Sequence, residues 1–138
     1  MGKYLIILAM VLMGCNDMVE WNAEDTLVAD RARAATVWWG GHGGSVREGG
    51  EMNTQIIFDP NLSIVAHTDY SEGDPLDLKG LRATIRYNAT FFVFPHNYQE
   101  ALMAHELGHA QGLGHTIECP HIMNGNGGCI LEVYEEGP

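Results

Sequence analysis

The chain has 138 residues, a formal net charge of −11 and three cysteines. That length holds one domain with one real core. A body this acidic argues against nucleic acid or anionic lipid as a partner, since both are polyanions.

Met1-Gly2-Lys3 carries one positive charge and leads into an apolar run from Tyr4 to Met13, then Gly14-Cys15. This reads as a secretory signal whose apolar stretch is too short to span a bilayer. Leu12-Met13-Gly14-Cys15 is similar to a bacterial lipobox, in which the cysteine is diacylated and becomes the new N-terminus, although Met13 stands where a small residue is usual. The chain then divides into a signal at 1–14 and one domain at 15–138. The product is exported, either tethered to the cell envelope through lipid on Cys15 or secreted. An ordinary signal peptide and a short uncleaved anchor are the alternatives.

Asn22 can cap a helix over 23–39, where Leu27, Val28, Arg31, Ala34, Ala35 and Trp38 recur at helical spacing in an alanine-rich stretch. Gly40 to Gly50 reads as loop. Thr54 to Phe58 is a strand ended by Asp59-Pro60, and 63–68 looks like a second. Residues 71–80 form an acidic, turn-rich loop, and Leu81 to Asn88 alternates as a third strand. Phe91 to Phe94 reads as a short fourth strand or an apolar coil, stopped by Pro95. Asn97-Tyr98-Gln99-Glu100 resembles a capping box that opens a helix over 98–113. Residues 130–134 allow a short last helix. There is no internal repeat or long linker. Helix, strands, then helix gives an α/β (α+β) domain, a twisted mixed sheet packed against two helices.

The chemistry is concentrated in His105-Glu106-Leu107-Gly108-His109-Ala110-Gln111-Gly112-Leu113-Gly114-His115, with Met123 eight positions further on. This is H-E-x-x-H-x-x-G-x-x-H, a pattern that average residue usage produces by chance in roughly 1 chain in 10⁵. On a helix, His105 and His109 leave one face a turn apart. Gly112 tolerates the positive φ of a chain reversal, so His115 can return as a third nitrogen ligand. Three protein ligands leave one tetrahedral position open, which is the catalytic kind of zinc site. The bland alternative is a buried helix whose histidines only satisfy core hydrogen bonds.

The motif and the later methionine resemble the metzincin zinc metalloproteases. Thr116 after the third histidine, and Asn124-Gly125 where other branches carry a tyrosine ligand, resemble the matrixin branch. The resemblance covers about residues 24–125 and is strong over 98–123. It implies a zincin-like catalytic domain in which an N-terminal helix and the zinc-binding helix pack on the sheet. It implies an endopeptidase with Zn²⁺ on His105, His109 and His115, Glu106 as general base, and Met123 supporting the ligand cage from below. Val65-Ala66-His67 matches the family's Leu-Ala-His strand at the rim of the cleft, antiparallel to its neighbours. There the Ala66 carbonyl would bind the scissile N–H of a peptide added as a further strand.

Departures set further expectations. His67 matches one ligand of the family's second, structural zinc, but Arg86 stands where the next strand's histidine is expected, so no second zinc is expected. Asp69, Asp74 and Asp77 could bind calcium, though an exposed acidic loop is the commoner case. Only about Met18 to Trp21 is left for the usual first strand, and no cysteine-switch motif precedes the helix. With Cys15 lipidated, Cys119 and Cys129 remain as a pair around the methionine, either disulfide-bonded in an oxidising compartment or free. Protein or peptide is the expected substrate of a monomer whose only membrane contact is its lipid. A zinc-stabilised lipoprotein that binds peptide or an inhibitor without cutting is a competing reading. Glu106 favours the enzyme; the missing first strand and short C-terminal part favour the binder. An aminopeptidase or another metal hydrolase is a third.

Overall fold

Trp21 is fully buried and ties the first strand to the first helix: its indole N–H donates to Thr36 Oγ1 at 2.8 Å. The strand is β1 (Val19–Ala23) and the helix is α1 (Thr26–Gly40). These come from a computed structural model that describes residues 18–70 and 82–136. The proposed signal, Cys15, Asp74 and Asp77 lie outside the described residues. The remaining elements are β2 (Val46–Glu48), β3 (Thr54–Phe58), β4 (Ala66–Tyr70), β5 (Ala83–Tyr87), a 3₁₀ turn (Ala89–Val93), α2 (His96–Ala110) and α3 (Gly127–Glu136). The described chain is therefore a mixed α/β fold with a five-stranded mixed sheet and three helices.

The sheet order is β2-β1-β3-β5-β4. β1, β2, β3 and β5 run parallel, and β4 pairs antiparallel with β5 at one edge. Register places Ala23, Ile56, Ile85 and Thr68 in one row across the sheet, and Phe58, Tyr87 and Ala66 in another. Side chains alternate between faces along a strand, so these rows share the face that meets the helices. Gln55, Arg86, His67 and Asp69 lie on the other.

Several boundaries differ from expectation. The first strand is complete: Glu20 N–H donates to Asn53 Oδ1, the Asn53 amide donates to the Met18 carbonyl, and Val19 N–H donates to the Ser45 carbonyl. Asn22 therefore belongs to β1, and Asp25 caps α1, its carboxylate accepting from Leu27 N–H at 2.8 Å and Val28 N–H at 3.1 Å. The buried stripe of α1 is Val28, Ala32, Ala35 and Trp39, flanked by Ala29 and Trp38, whereas Leu27 is exposed. The loop over 40–50 contains β2, which adds to β1 at the far edge.

The second strand starts later than expected, at Ala66, because Asn88 holds the preceding segment: its amide donates to the carbonyls of Leu62 and Ile64. Asn88 also caps the 3₁₀ turn through Thr90 N–H, so the aromatic run is neither strand nor coil. The capping box does not form. α2 opens at His96 after Pro95, and Gln99 is buried, donating to the Phe94 carbonyl and accepting from Arg31 Nε. That bond, together with the Trp39 indole donating to the Ala104 carbonyl at 2.8 Å, locks α1 against α2. The last helix is longer than expected, starting at Gly127.

Candidate metal centre

α2 is buried nearly all round: Ala101, Met103, Ala104, Leu107 and Ala110 are sealed in the core, with Gly108. A helix segment sealed in this way is expected to be apolar on every face, so the two polar groups buried in its second half stand out. They are His105 and Glu106, each 5% exposed.

After Ala110 the chain reverses in a Schellman motif, with Gly112 N–H donating to the His109 carbonyl and Leu113 N–H to the Gly108 carbonyl. Gly112 sits at φ +96°, where an L side chain is disfavoured. The reversal returns His115 to the helix. Its Nε2 lies 3.1 Å from Nε2 of both His105 and His109, which are 3.2 Å from each other.

Three ring nitrogens this close make a ligand set of the size a single cation would bridge. His105 Nδ1 faces the Ile122 carbonyl at 2.7 Å, and His109 Nδ1 faces the Leu113 carbonyl at 2.7 Å. A carbonyl only accepts, so each Nδ1 carries the proton and each Nε2 presents a lone pair. Burial pushes the His105 imidazole down to about 4, helped by His109 and His115 and opposed by the bond to Ile122, so this ring stays neutral. Donors about 2.0–2.1 Å from a tetrahedral centre lie about 3.3 Å apart, close to the spacing found here. The three histidines could hold a metal ion, and main-chain carbonyls behind two of them fix tautomer and ring orientation.

The triad opens onto a cleft of about 340 Å³ whose lining includes Ala66, Thr68, Leu102, Glu106 and Ile130. Among the described residues, no cationic side chain forms an ion pair with Glu106. Its Oε1 accepts from the Thr68 hydroxyl at 2.7 Å, across from β4. Burial raises its pKa against the lowering effect of that bond and of His67 and His115. Sequence reading missed Thr68. The one available signal was its position two residues after Ala66, on the same strand face.

Met123 is 2% exposed and packs its sulphur against Gly108 on α2. Cys119 and Cys129 form a disulfide, closing a ring that contains Ile122 and Met123. Ala66 lies on the edge strand. Val65's carbonyl accepts from Asn88 N–H, so alternation along the strand turns the Ala66 carbonyl toward the unpaired side. His67 pairs in register with Arg86 on the outer face, and Asp69 is shared between His67 Nε2 at 3.3 Å and Arg86 Nη1 at 3.2 Å.

No protein-family model matches the chain, and no curated protein matches it.

Proposed function

We propose that the chain is a zinc-dependent metalloendopeptidase of the metzincin type, on the matrixin side of that clan. The observation that carries this reading is the convergence of three histidine Nε2 atoms in one cleft with the buried carboxylate of Glu106. Three imidazoles and an open fourth position suit zinc in a catalytic role. Bound zinc supplies Lewis acidity that polarises a peptide carbonyl and acidifies water.

The chain's own groups do the rest. Glu106 accepts the proton of the attacking water and passes it to the leaving amine. A raised carboxylate pKa suits both transfers, because the base must also serve as an acid. The free side of β4 takes the peptide as an added strand, with the Ala66 carbonyl accepting the scissile N–H. Met123 supports the imidazoles from beneath without binding metal. The non-cutting reading loses one of its supports, since the first strand is present.

The disulfide fits export to an oxidising compartment, with lipid on Cys15 as the proposed anchor. Among the described residues, no helix is long and apolar enough to cross a membrane. A monomer acting on protein or peptide is the proposed working form.

The test is casein hydrolysis with and without a chelator. The wild type should cleave, stop on chelation and recover with zinc. Glu106→Ala should keep its zinc and lose cleavage. Turnover that survives either treatment overturns the reading, and failure on end-blocked peptides redirects it to an aminopeptidase.

A further inference from the structure

We propose that Thr68 is a positioning residue that holds the Glu106 carboxylate in its working orientation from the edge strand of the sheet. This deepens the metalloprotease reading and rests on it. The hydroxyl has one proton and, among the described residues, two acceptors in reach, both on Glu106: carboxylate Oε1 at 2.7 Å and the main-chain carbonyl at 3.3 Å. The shorter, charge-assisted bond takes the proton. One carboxylate oxygen is thereby tethered, and the other is left for the cleft that Glu106 lines.

Both ends of the tether are rigid. Thr68 is paired with Ile85 in the middle of the β4–β5 ladder, which fixes its height on the sheet. Its β-branched side chain is stiff about χ1, so the hydroxyl has little freedom. Glu106 lies in the buried second half of α2. A free glutamate has three side-chain torsions to settle before it can meet a proton, and the bond from Thr68 removes much of that search. Misplacement of a catalytic group by about 1 Å costs about 10²-fold in rate. The strand that would bind the peptide backbone at Ala66 also holds the base two residues later, so one element aligns both.

The experiment compares Thr68→Val, which keeps the shape and removes the donor, with Thr68→Ser, which keeps the donor. In the zinc-loaded protein, Thr68→Val should lower kcat for a peptide about 10- to 100-fold, with KM and zinc affinity within about twofold of wild type. Thr68→Ser should recover most of the rate. A second readout needs no metal. In metal-free protein labelled with ¹³C at the glutamate carboxyl carbon, the Glu106 resonance, assigned with Glu106→Gln, should shift in Thr68→Val and return in Thr68→Ser. Thr68→Val with wild-type kcat and an unmoved resonance overturns the proposal. Equal rate loss in Val and Ser variants also overturns it, because the donor is then not what matters. A wild type without chelator-sensitive cleavage sinks the protease reading instead, and the resonance then decides the tether by itself.

Discussion

A β-carbon on Gly108 would lie 2.3 Å from the sulphur of Met123 and 3.0 Å from Cζ2 of Trp39. The glycine inside the histidine motif is thus a contact point where α1, α2 and the loop after His115 meet. Gly108→Ala gains about 1 kcal/mol of helix propensity but overpacks a site that typically charges about 1–3 kcal/mol for an added carbon. The expected result is a net loss of about 1 kcal/mol in urea unfolding and weaker metal binding, since a displaced Met123 drags Ile122, the partner of His105. Gly108→Ala combined with Met123→Ala should be less harmful than the sum of the two, because the second change removes the clashing atom. Strict additivity would show that the contact is unimportant.

Gly112 governs the third ligand. At φ +96°, an alanine costs about 1–2 kcal/mol in backbone strain, and its β-carbon would also press on the Tyr70 hydroxyl at 3.3 Å. The strain sits between His109 and His115, so the chain can relieve it by moving the His115 ring out of line. Gly112→Ala should weaken metal affinity, measured by competition with a chromogenic chelator, by a larger factor than it lowers the stability of the metal-free protein. Unchanged affinity would mean that the turn does not set the ligand geometry.

The triad was legible because its geometry is local. Two of its rings are one helical turn apart, and the third follows a glycine-mediated reversal, so eleven consecutive residues contain the arrangement. The family resemblance set Arg86 on the strand next to His67, and the two residues stand in register. β1 and β2 were not legible. They pair in parallel across the whole of α1, and Glu20 N–H is satisfied by Asn53, far along the chain. No local pattern announces such a bond. Met18 to Trp21 looked too short for the usual first strand because its neighbours in sequence say nothing of the sheet it enters. Thr68 was hidden for the same reason, its partner lying 38 positions away. The α1 stripe was misplaced by part of a turn because alanine serves either face of a helix, and the rotation is fixed by the distant bonds of Trp39 to Ala104 and Arg31 to Gln99.

The disulfide should matter to both stability and metal binding. Cys119 and Cys129 are ten positions apart, and closing a loop of that length stabilises by about 2–3 kcal/mol through the unfolded chain. The ring it closes contains the Ile122 carbonyl that accepts from His105 and the Met123 carbonyl that accepts from Thr116 N–H. A Cys119→Ser/Cys129→Ser protein should lose about 2–3 kcal/mol in denaturant unfolding and bind zinc more weakly. A thiol reductant should do the same to the wild type and leave the double variant unaffected. An unchanged zinc affinity would assign the disulfide to stability alone.

Acid should destabilise the metal-free protein through His105. Its folded pKa is about 4, lowered chiefly by burial and further by His109 and His115, against about 6.5 for an unfolded histidine. Between those values the unfolded chain takes up a proton that the folded protein refuses. Stability is therefore fully present above pH about 6.5, falls as the pH drops and levels off below about 4, by about 3 kcal/mol in all. Glu106 works in the opposite direction. Burial raises its folded pKa, so it favours the folded protein as the pH falls and masks part of the loss. Glu106→Gln removes that compensation and is the background in which to measure. Urea unfolding of metal-free Glu106→Gln should become easier from pH 7 to pH 4, and adding His105→Asn should flatten the part of the slope due to the ring. A slope unchanged by the second substitution would mean that the His105 ring titrates alike in the folded and unfolded protein, and that burial does not hold its lone pair ready for a metal.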